Sequence, residues 1–270
     1  MHVHFLDPYH PTGSILHRMD SRIKLVLVVA YILTCSLTPF GAWPVYVLLF
    51  TLILSAILLS ELGLRFVWLR AAIAIPFALA ALPVIFTTGG SKLAELHIAG
   101  FTLVPTLEGA ARFVSIAIKS WLSVQAAILL ASTTPYPGLL QGMRVLGVPP
   151  LLVSTFGLMW RYLFVLVDEA VRLMRARSAR SGVNRGGPSV SRTGGPLTWR
   201  ARVAGGMAGN LFLRGLERSE RIYVAMLSRG YDGEMRAIPM PPLTANDRLV
   251  LLLAGLAFAS LLALGILFWG

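Results

Sequence analysis

The chain has 270 residues, of which 56% are hydrophobic and only 13% charged, and its mean hydropathy is +0.73. Soluble domains carry roughly 25% charged residues, so an ordinary soluble globular domain is excluded, and so is disorder. The 24 Lys and Arg against 12 Asp and Glu leave a net +12, which in so apolar a chain points to basic cytoplasmic loops of a membrane protein before it points to nucleic acid. The single cysteine, Cys35, sits in an apolar run and excludes both an internal disulfide framework and a cysteine-rich metal site.

The expected fold class is an all-α integral membrane protein with about five transmembrane helices and a cytoplasmic coupling layer of long helices. A crossing helix needs about 20 mostly apolar residues. Residues 1–22 are polar, with His2, His4, Asp7 and His10, and read as a cytoplasmic N-terminal segment rather than a cleavable signal. Residues 23–134 hold four spans, at about 23–38, 43–60, 66–86 and 112–133, and residues 237–270 hold the last, at 249–269. Arg18, Arg22 and Lys24 stand at the start of the first span, so the positive-inside rule places the N-terminus in the cytoplasm and, after five crossings, the C-terminus outside. Trp43, Trp68 and Trp269 lie near span ends, where amphipathic rings favour the interface.

Residues 135–236 are expected to form the coupling layer. Hydropathy alone would make 148–167 another span, interrupted by Arg161, but Arg144 lies on one flank and Arg172 and Arg175 on the other. Residues 168–236 carry 13 arginines against six acids, a net of +7, and a full crossing would put this most basic part outside. The apolar stretch is therefore expected to lie along the membrane face or against another protein. Two helices are legible in the layer. The first ends at Arg180 before Ser181-Gly182, with Asp168 and Arg172 spaced i,i+4; the second covers 216–228 and stops at Gly230, with Glu217 and Arg221 spaced i,i+4. Each delivers one arginine, Arg180 or Arg229, to a C-terminal end. The linker 181–196 is rich in Gly, Ser and Pro, yet no Gly-Lys-Ser/Thr follows its glycines, so the chain shows no phosphate cradle with which to hydrolyse ATP.

Several residue runs resemble the transmembrane (T) component of energy-coupling factor transporters, in the CbiQ-like branch. They are Ala179-Arg180-Ser181 preceded by Glu169 and Arg172, Ser228-Arg229-Gly230 inside the run 217–233, the opening 16–25, Thr134-Pro135, and Gly147-Val148-Pro149. The family carries two Ala-Arg-Gly motifs; here Ser181 and Ser228 depart from that pattern, both small, while both arginines are intact. The resemblance implies a non-catalytic coupling subunit of an ABC-type importer in a prokaryotic plasma membrane, multi-pass. Its implied partners are two cytoplasmic ABC ATPase subunits and a CbiM-like substrate-binding (S) membrane subunit, with a small accessory membrane subunit left open, besides the lipid bilayer. Ala179, Arg180, Ser181, Ser228, Arg229 and Gly230 would carry the ATPase coupling, with Glu169, Arg172, Glu217 and Arg221 supporting. Guanidinium suits such docking, because its planar fork of donors matches a carboxylate in a groove.

The implied cargo is cobalt or nickel, with a vitamin importer as the alternative. No cofactor or resident metal is expected: His2 and His4 on a chain end, with Asp7 beside them, do not make a coordination sphere. Lys119 and Arg161 are intramembrane-type charges, read either as facing a polar cavity or as snorkelling. Two other classes fit less well. A membrane-embedded transferase would need a cluster of acids or histidines at the membrane surface, whereas four of the five histidines precede the first span. A self-sufficient carrier would need inverted repeats or paired broken helices, and no repeat is legible.

Overall fold

A computed structural model describes residues 8–89, 91, 106–180, 197–233 and 242–269, together with the backbone of 96–98 and 101–103. The described residues fall within two compact units, Pro8–Gly147 with Met240–Gly270, and Val148–Pro239.

The first unit is a helical bundle. A single turn, α1 (Ile15–Arg18), leads into α2 (Ser21–Leu37), whose N-cap Asp20 accepts from Arg22 N at 2.9 Å. Gly41, at φ +84°, turns the chain into α3 (Trp43–Leu59). At 17 residues each, α2 and α3 are about 25 Å long. The expected third span is a helical path over Leu64–Thr87 that is broken into α4 (Leu64–Ala71), a 3₁₀ turn at Ala72–Ala74, α5 (Ile75–Ala80) and α6 (Val84–Thr87). Pro76 and Pro83 lie at the breaks, because proline lacks the N–H and clashes with the preceding turn. A small antiparallel hairpin follows, β1 (Leu96–Ile98) with β2 (Phe101–Leu103), pairing Leu96 with Leu103 and Ile98 with Phe101.

Helix α7 (Leu107–Thr133) starts five residues before the expected 112, capped by Thr106, whose hydroxyl accepts from Gly109 N at 3.1 Å. It runs antiparallel to α2, as two contacts show: Lys24 Nζ of α2 donates to Thr133 O at 2.9 Å, and Gly41 N, just past α2, donates to Ser115 Oγ at 3.2 Å. Helix α8 (Tyr136–Val145) packs on α2 through Gly138 and Gly142, spaced i,i+4. An added Cβ at Gly142 would come within 2.9 Å of Leu25 Cδ2. Small residues at this spacing let helix backbones approach closely where no hydrophobic effect drives association. Helix α11 (Ala245–Trp269) lies parallel to α2: the Tyr31 and Phe258 rings meet edge-on at 6.1 Å, and Gly265 sits against Thr38 and Pro39. Cys35, Leu49, Ile57, Val67 and Leu122 form the buried centre.

The second unit consists of α9 (Pro150–Arg180) and α10 (Leu197–Leu227), each 31 residues. Both are longer than the sequence pattern suggests. Helix α9 joins the apolar 150–167 stretch to the charged run without a break, and α10 passes straight through Gly205, Gly206 and Gly209. Among the described residues, four helices could cross a membrane by length and composition: Leu64–Thr87, α7, α9 and α11; α3 is a shorter apolar helix.

Candidate functional site

Helices α9 and α10 cross antiparallel. Glu169 Oε1 accepts from Arg214 Nη1 at 2.6 Å, and nearer the α9 C-terminus the Arg177 guanidinium lies 5.8 Å from the Trp199 ring centroid. Glu169 is thus the half-buried acceptor at the crossing. It also takes Arg172 Nη2 at 3.5 Å, one turn along its own helix. Arg172 therefore pairs with Glu169 rather than with Asp168, the expected i,i+4 partner, since i and i+3 are equally neighbours on a helix face and Glu169 is already turned toward the crossing. The Arg214 hydrogen bond, with Arg172 and Arg218 nearby, holds the Glu169 carboxyl below the usual carboxylate range. A cavity of about 160 Å³ at the crossing is walled by Glu169, Arg214, Glu217, Arg218 and Arg221. Glu217 and Arg221 both face it, although no ion pair joins them among the described residues. Arg214 and Arg218 were not singled out from the sequence. Their signal is the 214, 218, 221 spacing, which is one helical face.

The crossing sets where the two motif arginines go. Arg180 is the last residue of α9, and it and Ala179 are exposed; Ser181 lies outside the described residues. The α9 C-terminus lies beside the α10 N-terminus, so the length of α10 separates Arg180 from Arg229, about 45 Å for 31 residues. Ser228, Arg229 and Gly230 are all exposed. Gly230 has φ +78°, its N–H donates to Leu227 O at 3.0 Å, and Tyr231 N–H donates to Met226 O at 3.0 Å. That pair of bonds is the Schellman termination, which needs a left-handed residue where Gly230 stands. Arg229 is therefore held at a defined helix stop, with no acid paired to it among the described residues.

Of the two intramembrane-type charges, Lys119 has structural partners. Lys119 Nζ, on α7, donates to Ser36 O and Thr38 O and sits 4.6 Å from the Phe40 ring centroid, so it caps the C-terminus of α2. Lys24 does the same for α7 through Thr133 O. Lys24 is buried and Lys119 half-buried, and each satisfies free carbonyls at the negative dipole end of the antiparallel neighbour. Arg161, on α9, is exposed. His17 is tied locally: its Nδ1 accepts from Ser14 Oγ at 2.7 Å and its Nε2 donates to His10 O at 2.9 Å. His2, His4 and Asp7 lie outside the described residues, and among the described residues no group of three His, Cys, Asp or Glu is gathered as metal ligands would be.

The sequence profile of the CbiQ family, described as cobalt transport protein, matches residues 12–239. A cobalt transport protein CbiQ of Rhodobacter capsulatus is 31% identical over 217 residues, 79% of this chain and 83% of its own length. The energy-coupling factor transporter transmembrane protein EcfT of Listeria innocua is 28% identical over 270 residues, 98% of this chain and 97% of its own. A putative fused cobalt transport protein CbiMQ of Methanocorpusculum labreanum is 27% identical over 244 residues, covering 87% of this chain and 38% of that one. With four apolar helices of crossing length among the described residues, these relatives make the chain a multi-pass membrane protein. The family match runs through both helical units and past both arginine-bearing helix ends, and the chain belongs to the CbiQ family, the transmembrane components of cobalt and energy-coupling factor transporters.

Proposed function

We propose that this chain is the non-catalytic coupling subunit of an energy-coupling factor importer, joining two cytoplasmic ATPase subunits to a substrate-binding membrane subunit, with cobalt or nickel as cargo. The observation that carries this reading is the α9–α10 crossing, which presents Arg180 and Arg229 exposed at ends about 45 Å apart on α10. Two anchors so far apart suit two separate ATPase subunits, and closure of an ATPase dimer would move them toward each other. In this reading the layer spans 135–236, α9 lies along the cytoplasmic face, and the +7 of 168–236 stays inside. The fused CbiMQ relative supports a CbiM-like neighbour and the cobalt assignment; a shared vitamin importer is the alternative, favoured by the EcfT relative.

The test is capture of the two ATPases by tagged chain, with uptake measured alongside. Removing one partner of a buried interfacial charge pair costs about 2–5 kcal/mol, and Arg→Glu adds repulsion. The Arg180→Glu, Arg229→Glu double variant should lose both ATPases while inserting normally, and Arg180→Lys should fall short of full function because an ammonium lacks the bidentate fork. A double variant that still binds both ATPases and transports would overturn the assignment.

A further inference from the structure

The bundle of the first unit is not closed at its centre. Between α2, α3, α7 and α11 lies a half-open cavity of about 220 Å³ whose walls are almost wholly apolar. Leu27, Ile53, Ala126 and Ala254 come from the four helices in turn, and Tyr31 with Phe258 closes the inner end. Lys24 lines it as well, but its ammonium is engaged by Thr133 O. At the other end the wall includes Leu16 and Met19, which flank Arg18 in the chain, and Arg22 follows directly on α2.

We propose that this cavity is a phospholipid site: a segment of one acyl chain of an anionic phospholipid occupies it, and the phosphate sits at the Arg18 end. Size selects the occupant. One turn of a helix with its side chains, about 10 Å across and 5.4 Å long, takes about 400 Å³, so a partner's helix does not enter. An enclosed apolar cavity of about 150 Å³ takes up benzene, so a half-open one of about 220 Å³ has room for a segment of a slender apolar chain, the rest of which stays in the bilayer. An empty void would forfeit the dispersion contacts of its lining. In a bilayer-embedded chain the abundant apolar species is the lipid tail. Charge selects the headgroup: Arg22 and Asp20 are paired with each other at 3.4 Å, which leaves the exposed Arg18 as the net positive charge at this end. Basic residues at a membrane surface favour anionic lipid.

The test places the full chain, in its assembled complex, in phosphatidylcholine vesicles doped with phosphatidylglycerol carrying a diazirine on its acyl chain, with a phosphatidylcholine diazirine in parallel. After illumination the labelled residues are mapped. Leu252 and Leu267, 66% and 78% exposed, report contact with bulk lipid. Ala126, 1% exposed, is reached only from inside the cavity. Label on Ala126 is expected, stronger from phosphatidylglycerol, and lost in both Ala254→Phe and Ala56→Phe, which fill the cavity from different helices. Label on Leu252 and Leu267 should be unchanged in those variants, showing that the bundle is intact. Arg18→Gln should lower the phosphatidylglycerol label on Ala126 about fivefold, the weight of one basic residue at a lipid surface, and leave the phosphatidylcholine label alone. An unlabelled Ala126 beside a labelled Leu252 would overturn the site, as would label that survives both Phe variants. Label present in the isolated chain and absent in the complex would give the cavity to a partner protein instead. Equal labelling by the two lipids would overturn the headgroup assignment.

Discussion

Replacing Gly230 by alanine asks whether backbone geometry is what delivers Arg229. Gly230 holds φ at +78°, and the paired bonds from Gly230 N to Leu227 O and from Tyr231 N to Met226 O close the end of α10. A Cβ built at Gly230 meets nothing within 4 Å, so neighbouring atoms add no penalty. The cost is the local clash of a Cβ with its own backbone in the left-handed region, about 1–2 kcal/mol. An energy of that size shifts a local equilibrium by about 5–30-fold, here from the closed terminus toward ends in which the chain after Leu227 leaves its path and Arg229 with it. Capture of ATPase subunits by tagged Gly230→Ala chain should weaken by up to that factor, with membrane insertion unchanged. Gly230→Asn should lose less, because asparagine tolerates the left-handed conformation far better than alanine does. The comparison separates conformation from contact, since both variants add a side chain at the same place. Full binding by the alanine variant, or equal loss with alanine and asparagine, would refute the reasoning.

Three further outcomes are expected. Lys119→Met removes the donor to Ser36 O and Thr38 O and should destabilise the first unit by about 1.5–3 kcal/mol, the range for hydrogen bonds to a charged group, read as a lowered unfolding midpoint that Lys119→Arg partly restores. Glu169 is held low by Arg214; a carboxyl depressed on folding contributes above its unfolded pKa, and that contribution is lost as pH falls through the folded value. Spin labels on α9 and α10 should therefore show a broader distance distribution for Glu169→Gln than for the unsubstituted chain at neutral pH, converging in acid and in high salt; matching distributions at neutral pH would show that the pair does not fix the crossing. For topology, Ser189→Cys should resist an impermeant thiol reagent applied outside intact cells, and modification there would reverse the orientation proposed for the basic layer.

Much of this molecule is written in its composition and spacing. The apolar fraction, the spans and the excess of arginine over 168–236 already specify a helical membrane protein, because hydropathy and charge asymmetry act residue by residue and need no partner. The stop at Gly230 is legible for the same reason: a left-handed cap is a local preference of glycine. Other features depend on what faces what. The third span is broken around Pro76 and Pro83, and how far a proline breaks a helix depends on what re-satisfies the freed backbone groups. Helix α10 continues through Gly205, Gly206 and Gly209, where propensity alone would end it, since propensity is a weak prior that tertiary context overrides. In a linear reading Lys119 looks like a functional charge and Lys24 like part of a basic flank, and only the antiparallel packing of α2 on α7 turns each into a cap for the other helix's C-terminus. Arg172 has acids at both i−3 and i−4, and the choice of Glu169 over Asp168 rests on Arg214, which is 45 residues from Glu169 in sequence and 2.6 Å away in space. Local chemistry is additive along a chain and can be read from it. Pairing across a crossing and a cavity among four helices are properties of long-range packing, and no window of sequence contains both sides of the contact.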